Sequence, residues 1–141
     1  MNSFIEIRAI DTNDVDAVVR LSDELGYKIT SNEVAFLITS IINDDKQWAF
    51  VALKNKAVVG FVHAFYALRL TTPAFIEIAG LVVSENERSQ GIGQQLVKHI
   101  EQNIAKNLKV RIRCNSERKN AHRFYLNLGY TLQKQQLVFV K

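Results

Sequence analysis

Residues 88–94 read Arg-Ser-Gln-Gly-Ile-Gly-Gln, and an arginine followed by two closely spaced glycines suits a polyanion. Missing side chains let backbone N–H groups approach a diphosphate, a helix beginning near Ile92 presents the positive end of its dipole, and Arg88 adds a charge-assisted contact. The plainer alternative is a glycine turn that only lets a helix pack against a sheet. Spacing separates this loop from two familiar phosphate cradles. A P-loop needs Lys and Ser/Thr after its last glycine, where Gly93 is followed by Gln94 and Gln95. A dinucleotide fold needs its loop after the first strand and a third glycine where this chain has Leu96.

A few other side chains have types that suit chemistry. Glu77 interrupts the apolar run Phe75 to Val83, and strand alternation predicts that it shares a face with Ala79 and Leu81. It is a candidate proton acceptor or an ordinary salt-bridged carboxylate. Cys114 is the single cysteine, which excludes an internal disulfide, and its place in an alternating strand predicts a small buried residue. His63, His99 and His122 lie far apart with no carboxylate at ligand spacing, so no metal site is expected.

The elements that must position these groups follow from periodicity. Phe4 to Ile10 alternates as a strand, and Asp11 to Asp14 offers caps before Val15, Val18, Val19 and Leu25 recur at helical spacing, with Gly26 as a stop. Thr30-Ser31-Asn32-Glu33 forms a capping box ahead of the stripe Val34, Leu37, Ile38, Ile41 and Ile42. Trp48 to Leu53 and Val58 to Leu68 read as a hairpin, Phe75 to Val83 as a central strand, and Ile92 to Ile104 as a third helix. Leu108 to Cys114 is another strand, Ala121 to Leu128 a fourth helix stopped by Gly129, and Tyr130 to Gln133 and Leu137 to Val140 two closing strands. The predicted order is β-α-α-β-β-β-α-β-α-β-β.

With 141 residues and 48% hydrophobic content, the chain has the size and core of one domain spanning residues 1–141. His63 and Arg69 break its longest apolar run, so no membrane span is expected. The N-terminal residues lack the layout of a secretory signal, and cytoplasm is the default expectation. The net charge of +4 conceals a net −5 over residues 1–87 and +9 over residues 88–141. The basic half predicts a polyanionic ligand and the acidic half mildly favours a cationic one.

Two blocks then carry a resemblance. Ala79-Gly80-Leu81-Val82-Val83 followed by Arg88 to Gly93, and Asn120-Ala121-His122-Arg123-Phe124-Tyr125-Leu126-Asn127-Leu128-Gly129-Tyr130, resemble the pyrophosphate loop and the later Ala-His-x-Phe-Tyr helix of the GNAT-type N-acetyltransferases. The element order is similar from Phe4 to Val140. The resemblance implies a single-domain α/β (α+β) fold: a mixed, mostly antiparallel sheet of six to seven strands with helices on both faces. It implies acetyl-CoA as cosubstrate, no metal, and transfer of the acetyl group to a primary amine of a small molecule or protein. It also implies that Leu81, Val82 and Val83 face the pantetheine arm between two splayed strands. Arg88, Ser89, Gln90, Gly91, Ile92, Gly93 and Gln94 would hold the pyrophosphate, with Asn120 and Arg123 nearby. Tyr125 aligns with the usual thiolate protonator, and Glu77 is the candidate base. The acceptor region maps to Leu25–Ile29 and Tyr66–Thr72, which makes Tyr27, His63, Tyr66 and Arg69 candidate contacts. Homodimers are common in the family.

Two other readings stay open on the sequence. One is a catalytically silent acyl-CoA-binding sensor or interaction module, against which the intact Tyr125 argues. The other is a nucleic-acid surface built from Lys109, Arg111, Arg113, Arg118, Lys119 and Arg123. No binding motif accompanies that charge and the cofactor's phosphates already explain it, so no nucleic-acid partner is expected.

Overall fold

A computed structural model describes residues 4–141. The elements are β1 (Ile5–Ala9), α1 (Val15–Glu24), α2 (Ser31–Ile42), β2 (Gln47–Lys54), β3 (Ala57–Arg69), β4 (Thr72–Val83), α3 (Ile92–Ile100), β5 (Val110–Ile112) and α4 (Lys119–Asn127). They form a five-stranded sheet in the order β1-β2-β3-β4-β5. The first four strands are antiparallel and β5 runs parallel to β4.

Both capping signals form. Thr30 and Glu33 exchange side-chain and backbone bonds at the start of α2, and Asp11 and Asp14 do the same before α1. Asp14 is buried and takes two bonds from Arg8, at 2.8 and 2.9 Å. Burial raises its pKa, but the Arg8 bonds, the Asp11 amide and the Arg8 charge outweigh that and hold it below its ordinary value.

Two cores lie on the two faces of the sheet. On one, Ala52, Val62, Ala64, Ile76 and Ile78 meet Ile92, Leu96, Val97 and Ile100 of α3, with Phe124 and Leu128 of α4 packed alongside. On the other, Ala49, Val51 and Leu53 meet Val34 and Ile38 of α2 and Val15, Val18 and Val19 of α1. Among the described residues no helix is long and apolar enough to cross a membrane.

Two expectations need correction. Tyr130 to Gln133 and Leu137 to Val140 form no strands, and among the described residues the sheet has five strands where six to seven are expected. The strand expected over Leu108 to Cys114 is only Val110–Ile112, since its pairing with β4 ends at Ile78↔Ile112. β4 opens at Thr72, and Pro73 sits second in it, at a strand start where a missing donor is tolerated.

Candidate active site

The split between β4 and β5 begins at a bulge. His63 pairs with Gly80 and Ala64 with Ile78, which leaves Ala79 as the extra residue on β4. The bulge reverses the alternation: Leu81 and Val83 pack towards the α3 core together with Ile76 and Ile78. Glu77 therefore does not share a face with Leu81, as uninterrupted alternation predicts. Past Ile78 the two parallel strands part, and Leu81–Val83 line one side of the gap.

Residues 84–91 connect β4 to α3 and are fastened from three directions. The Glu85 amide donates to Glu24 Oε1 at the end of α1, at 2.7 Å. Lys54, at the end of β2, donates to Glu87 Oε2 at 2.8 Å and to Gln90 Oε1 at 3.0 Å. Arg88 Nε donates to the Val83 carbonyl at 3.2 Å. Gly91 caps α3 at φ +82°, a left-handed conformation that a side chain strains, and a Cβ built there meets no atom within 4 Å. The helix's first internal donor in this turn is Gln95, to the Gly91 carbonyl, so the amides of Ile92, Gly93 and Gln94 have no intrahelical acceptor. A bent loop with free amides and open space in front of Gly91 fits a diphosphate.

Gly93 has a different reason to be glycine. A Cβ there lies 3.1 Å from Phe124 Cζ and 3.6 Å from Val83 Cγ2, so its absence lets α4 close onto α3. Tyr125 follows Phe124 on α4 and neighbours Cys114, two residues past β5. Tyr125 is partly buried, 5.2 Å from Phe124 and 6.4 Å from Tyr130 between ring centroids. Burial and the neighbouring Cys114 push its phenol up to about 12 against the opposing pull of Arg118. It is thus a protonated hydroxyl at any working pH. Burial also raises the Cys114 thiol, again opposed by Arg118, so the cysteine is no ready nucleophile. His122 Nε2 lies 2.9 Å from the Asn115 carbonyl and ties α4 to the preceding loop. Asn120 and Arg123 are exposed on α4.

A polar patch occupies the α1/α2 face of the sheet. Directly opposed strand residues share a face. Gln47 opposes Phe65, Phe65 opposes Glu77, and Glu77 opposes Arg111. His63, two residues from Phe65, joins them, and its Nε2 lies 2.7 Å from Gln47 Oε1. That acceptor places the imidazole proton on Nε2 and leaves Nδ1 free. Burial lowers the His63 pKa. Glu77 is buried and accepts one bond from Arg113 Nε, at 3.1 Å on Oε1. The guanidinium of Arg111 stacks 4.0 Å from the ring centre of Phe75, with that of Arg69 at 5.7 Å.

The candidate acceptor residues do not all converge. Tyr66 lies on the α3 face, packed on that core with the Lys46 ammonium 4.8 Å from its ring centre, and so is on the opposite side of the sheet from His63. Tyr27 is exposed in a separate pocket of about 370 Å³ formed by α1 and the connector to α2, with Asp16, Arg20 and Asp23. Nothing in the sequence marks Lys54, Glu24 or Gln47 as site residues, and Arg113 stands out only as part of a basic surface. Lys54 is the most informative omission, since a lysine at a hairpin end carries no signal until the fold sets it beside Glu87 and Gln90. Among the described residues no cluster of metal-ligating side chains occurs.

A family model described as an acetyltransferase (GNAT) domain matches residues 45–132. An aminoalkylphosphonate N-acetyltransferase of Salmonella typhimurium is 32% identical over 133 residues, covering 89% of this chain and 84% of that protein. The aminoglycoside N-acetyltransferase AAC(6')-Iy, solved in complex with CoA, superposes with a TM-score of 0.86 at 15% identity, covering 100% of this chain and 97% of that one. An aminoglycoside acetyltransferase from an uncultured soil metagenomic sample, solved with sisomicin, gives a TM-score of 0.79 at 21% identity over 98% and 95% of the two chains.

Proposed function

The chain belongs to the GNAT acetyltransferase family, and from that premise we propose that it moves an acetyl group from the thioester of acetyl-CoA to the nitrogen of a primary amine by direct attack. The observation that carries this reading is the mouth of α3: free amides behind a left-handed Gly91, at the end of a strand that has just parted from its neighbour. The Arg88–Gln94 amides hold the pyrophosphate, and Leu81–Val83 line the arm that leads to the thioester. Asn120 and Arg123, exposed on α4, add polar contacts to the cofactor.

Bound there, acetyl-CoA supplies an electrophilic carbonyl and a thiol leaving group. The protein supplies the rest. A backbone N–H near Val82 or Val83 polarises the carbonyl. Tyr125, protonated at its hydroxyl, gives a proton to the departing sulfur. Glu77 accepts the proton that the amine must lose, directly or through a water, with Arg113 engaging only Oε1. The proton count closes, since the amine releases one proton and the thiolate takes one up.

The acceptor is best matched to a small amine that also carries an oxyanion. The acidic half does not single out a cation site, because many of its carboxylates are engaged: Asp11, Asp14 and Glu33 in caps, Glu24 and Glu87 on the loop, Asp23 with Lys28. The side chains around the polar face are instead His63, Arg69, Arg111 and Arg113, beside the buried Glu77. The 32% identical relative is named for aminoalkylphosphonates, which combine an amine with such an oxyanion.

Calorimetric titration with acetyl-CoA, with desulfo-CoA and ADP as controls, tests the first half of this reading. Thiol release over a panel of aminoalkylphosphonates, polyamines and aminoglycosides tests the second. Binding with amine-dependent thiol release is expected. Binding without release from any amine would favour a silent acyl-CoA sensor, and absence of binding would overturn the loop assignment.

A further inference from the structure

Two guanidiniums converge on one ring. That of Arg111 lies 4.0 Å from the ring centre of Phe75, and that of Arg69 lies 5.7 Å from it. Phe75 is 3% exposed and fixed in β4, whereas Arg111 is half-buried and Arg69 is exposed. Arg111 stands directly opposite Glu77 in the register of β4 and β5, yet among the described residues neither it nor Arg69 makes an ion pair. Glu77 takes its bond from Arg113 instead, on Oε1 at 3.1 Å. Arg69 spends one donor, Nη1, on the Leu68 carbonyl at 3.0 Å.

This pairing of charges calls for a ligand. Two positive groups held near each other without a carboxylate repel, and an anion between them relieves that repulsion. Opposite a buried carboxylate, an arginine with only a structural role gains by bonding to it; Arg111 forgoes that bond for the ring. Stacking occupies the face of a guanidinium and leaves the N–H groups on its edge directed outwards, in the fork that suits the oxygens of a phosphonate or phosphate.

We propose that Arg69 and Arg111, held by Phe75, clamp a doubly charged phosphorus oxyanion on the acceptor, and so select phosphonate- or phosphate-bearing amines over amines with one negative charge or none. The assignment rests on the transferase reading above and names what its acceptor must carry. A phosphate monoester carries about −1.5 to −2 charges at neutral pH, which matches two unneutralised guanidiniums better than a carboxylate or sulfonate does. Phe75 and Glu77 lie two residues apart on one face of a strand, about 7 Å, so an amine held near Glu77 reaches the clamp through a linker of only about two or three carbons. Both arginines fix the far end of the acceptor and take no part in the proton path through Glu77.

Equilibrium titration of aminoethylphosphonate into the protein saturated with desulfo-CoA tests the clamp without requiring turnover. O-Phosphoethanolamine distinguishes a phosphate ester from a phosphonate, and the tighter of the two names the oxyanion. Taurine, a sulfonate of the same length with a single charge, tests the charge match and should bind at least about tenfold more weakly, a difference of about one decade in Kd. Arg111→Gln should weaken the phosphorus ligands by about 20-fold or more, as loss of hydrogen bonds to a charged group does, and the exposed Arg69→Gln should weaken them less. In both variants the preference over taurine should shrink while acetyl-CoA affinity holds, and in thiol release the acceptor KM should rise with kcat near its native value. Circular dichroism checks that each variant folds. Equal binding of taurine and the phosphorus ligands, or undiminished binding in both variants, would overturn the clamp and leave a transferase for other amines. If desulfo-CoA itself fails to bind, the transferase reading falls, and the same titrations into the protein alone still decide whether the two arginines hold the oxyanion.

Discussion

The cofactor loop and the polar sheet face are built in opposite ways. Residues 85–94 are one continuous stretch, stapled by Glu24 and Lys54 and shaped by a glycine that the backbone demands. The polar face is assembled from separate strands: register brings Gln47, His63 and Glu77 together, and Arg113, just past β5, reaches Glu77 through its hydrogen bond. On the proposed function, the first is prearranged for a ligand whose diphosphate does not vary. The second can be changed one strand position at a time without touching the first. On the proposed function, cofactor binding and acceptor choice map onto different constructions.

If that separation holds, damage at the loop should be large and blind to the acceptor. Gly91→Asp adds a carboxylate where the diphosphate meets the amides and a side chain at φ +82°. Calorimetry should show acetyl-CoA affinity falling by more than about 100-fold, equivalent to about 2.7 kcal/mol, with the circular dichroism spectrum unchanged. Retained affinity would break the comparison at its stronger end. Tyr125→Phe probes the meeting point of the two regions. Loss of a positioned acid should lower turnover by about 10²-fold while the dissociation constant for acetyl-CoA moves little. Equal loss of both would make Tyr125 a packing residue.

The same contrast explains what the sequence made legible. Contiguous features were readable: the capping boxes, the glycine loop and the α4 block all depend on residues a few positions apart. Glu77 could be singled out because a carboxylate interrupts an apolar strand, but its face could not. One extra residue, Ala79, reverses the alternation, and a bulge is a property of the pairing with β3 rather than of β4's own sequence. The resemblance groups Tyr66 with His63 in one acceptor region, whereas a separation of three strand residues puts the two on opposite faces. The closing strands read correctly as strand-like in pattern, yet a pattern becomes a strand only beside a partner. The charge asymmetry is the least specific signal, because carboxylates committed to caps and loop staples count in its total.

Two smaller effects sharpen the comparison. Lys54→Met removes the bonds to Glu87 and Gln90 and leaves the loop sequence intact. Two hydrogen bonds from a charged donor that is partly exposed amount to about 1–2 kcal/mol, so acetyl-CoA should bind about tenfold more weakly at unchanged turnover. A fall in turnover instead would mean that the staple positions the acetyl group as well as the phosphates. Glu77→Gln should leave acetyl-CoA affinity alone and depress turnover about fivefold to tenfold, most steeply at low pH, where the amine is held as its ammonium and proton removal limits the rate. An unchanged pH profile would remove Glu77 as the base and leave it as the partner that positions Arg113.

His63 gives the smallest and most selective effect. Burial lowers its pKa, so the folded protein keeps the imidazole neutral at pH values where the unfolded chain already binds a proton. Its contribution to stability is therefore complete above the ordinary imidazole value of about 6.5 and is lost as the pH falls through the depressed value. The same protonation would place a positive charge beside Gln47, on the face proposed for the acceptor. Acceptor KM should be flat from neutral pH upwards and rise only below that range, with acetyl-CoA affinity constant throughout. His63→Gln should flatten both the acid limb of the acceptor KM and that of the melting temperature, at a cost of only a few-fold in turnover. If the acid limb survives the substitution, the titrating group lies elsewhere and the polar face is not where the amine is read. If acetyl-CoA binding follows the same pH curve, the two regions are coupled and the separation between them fails.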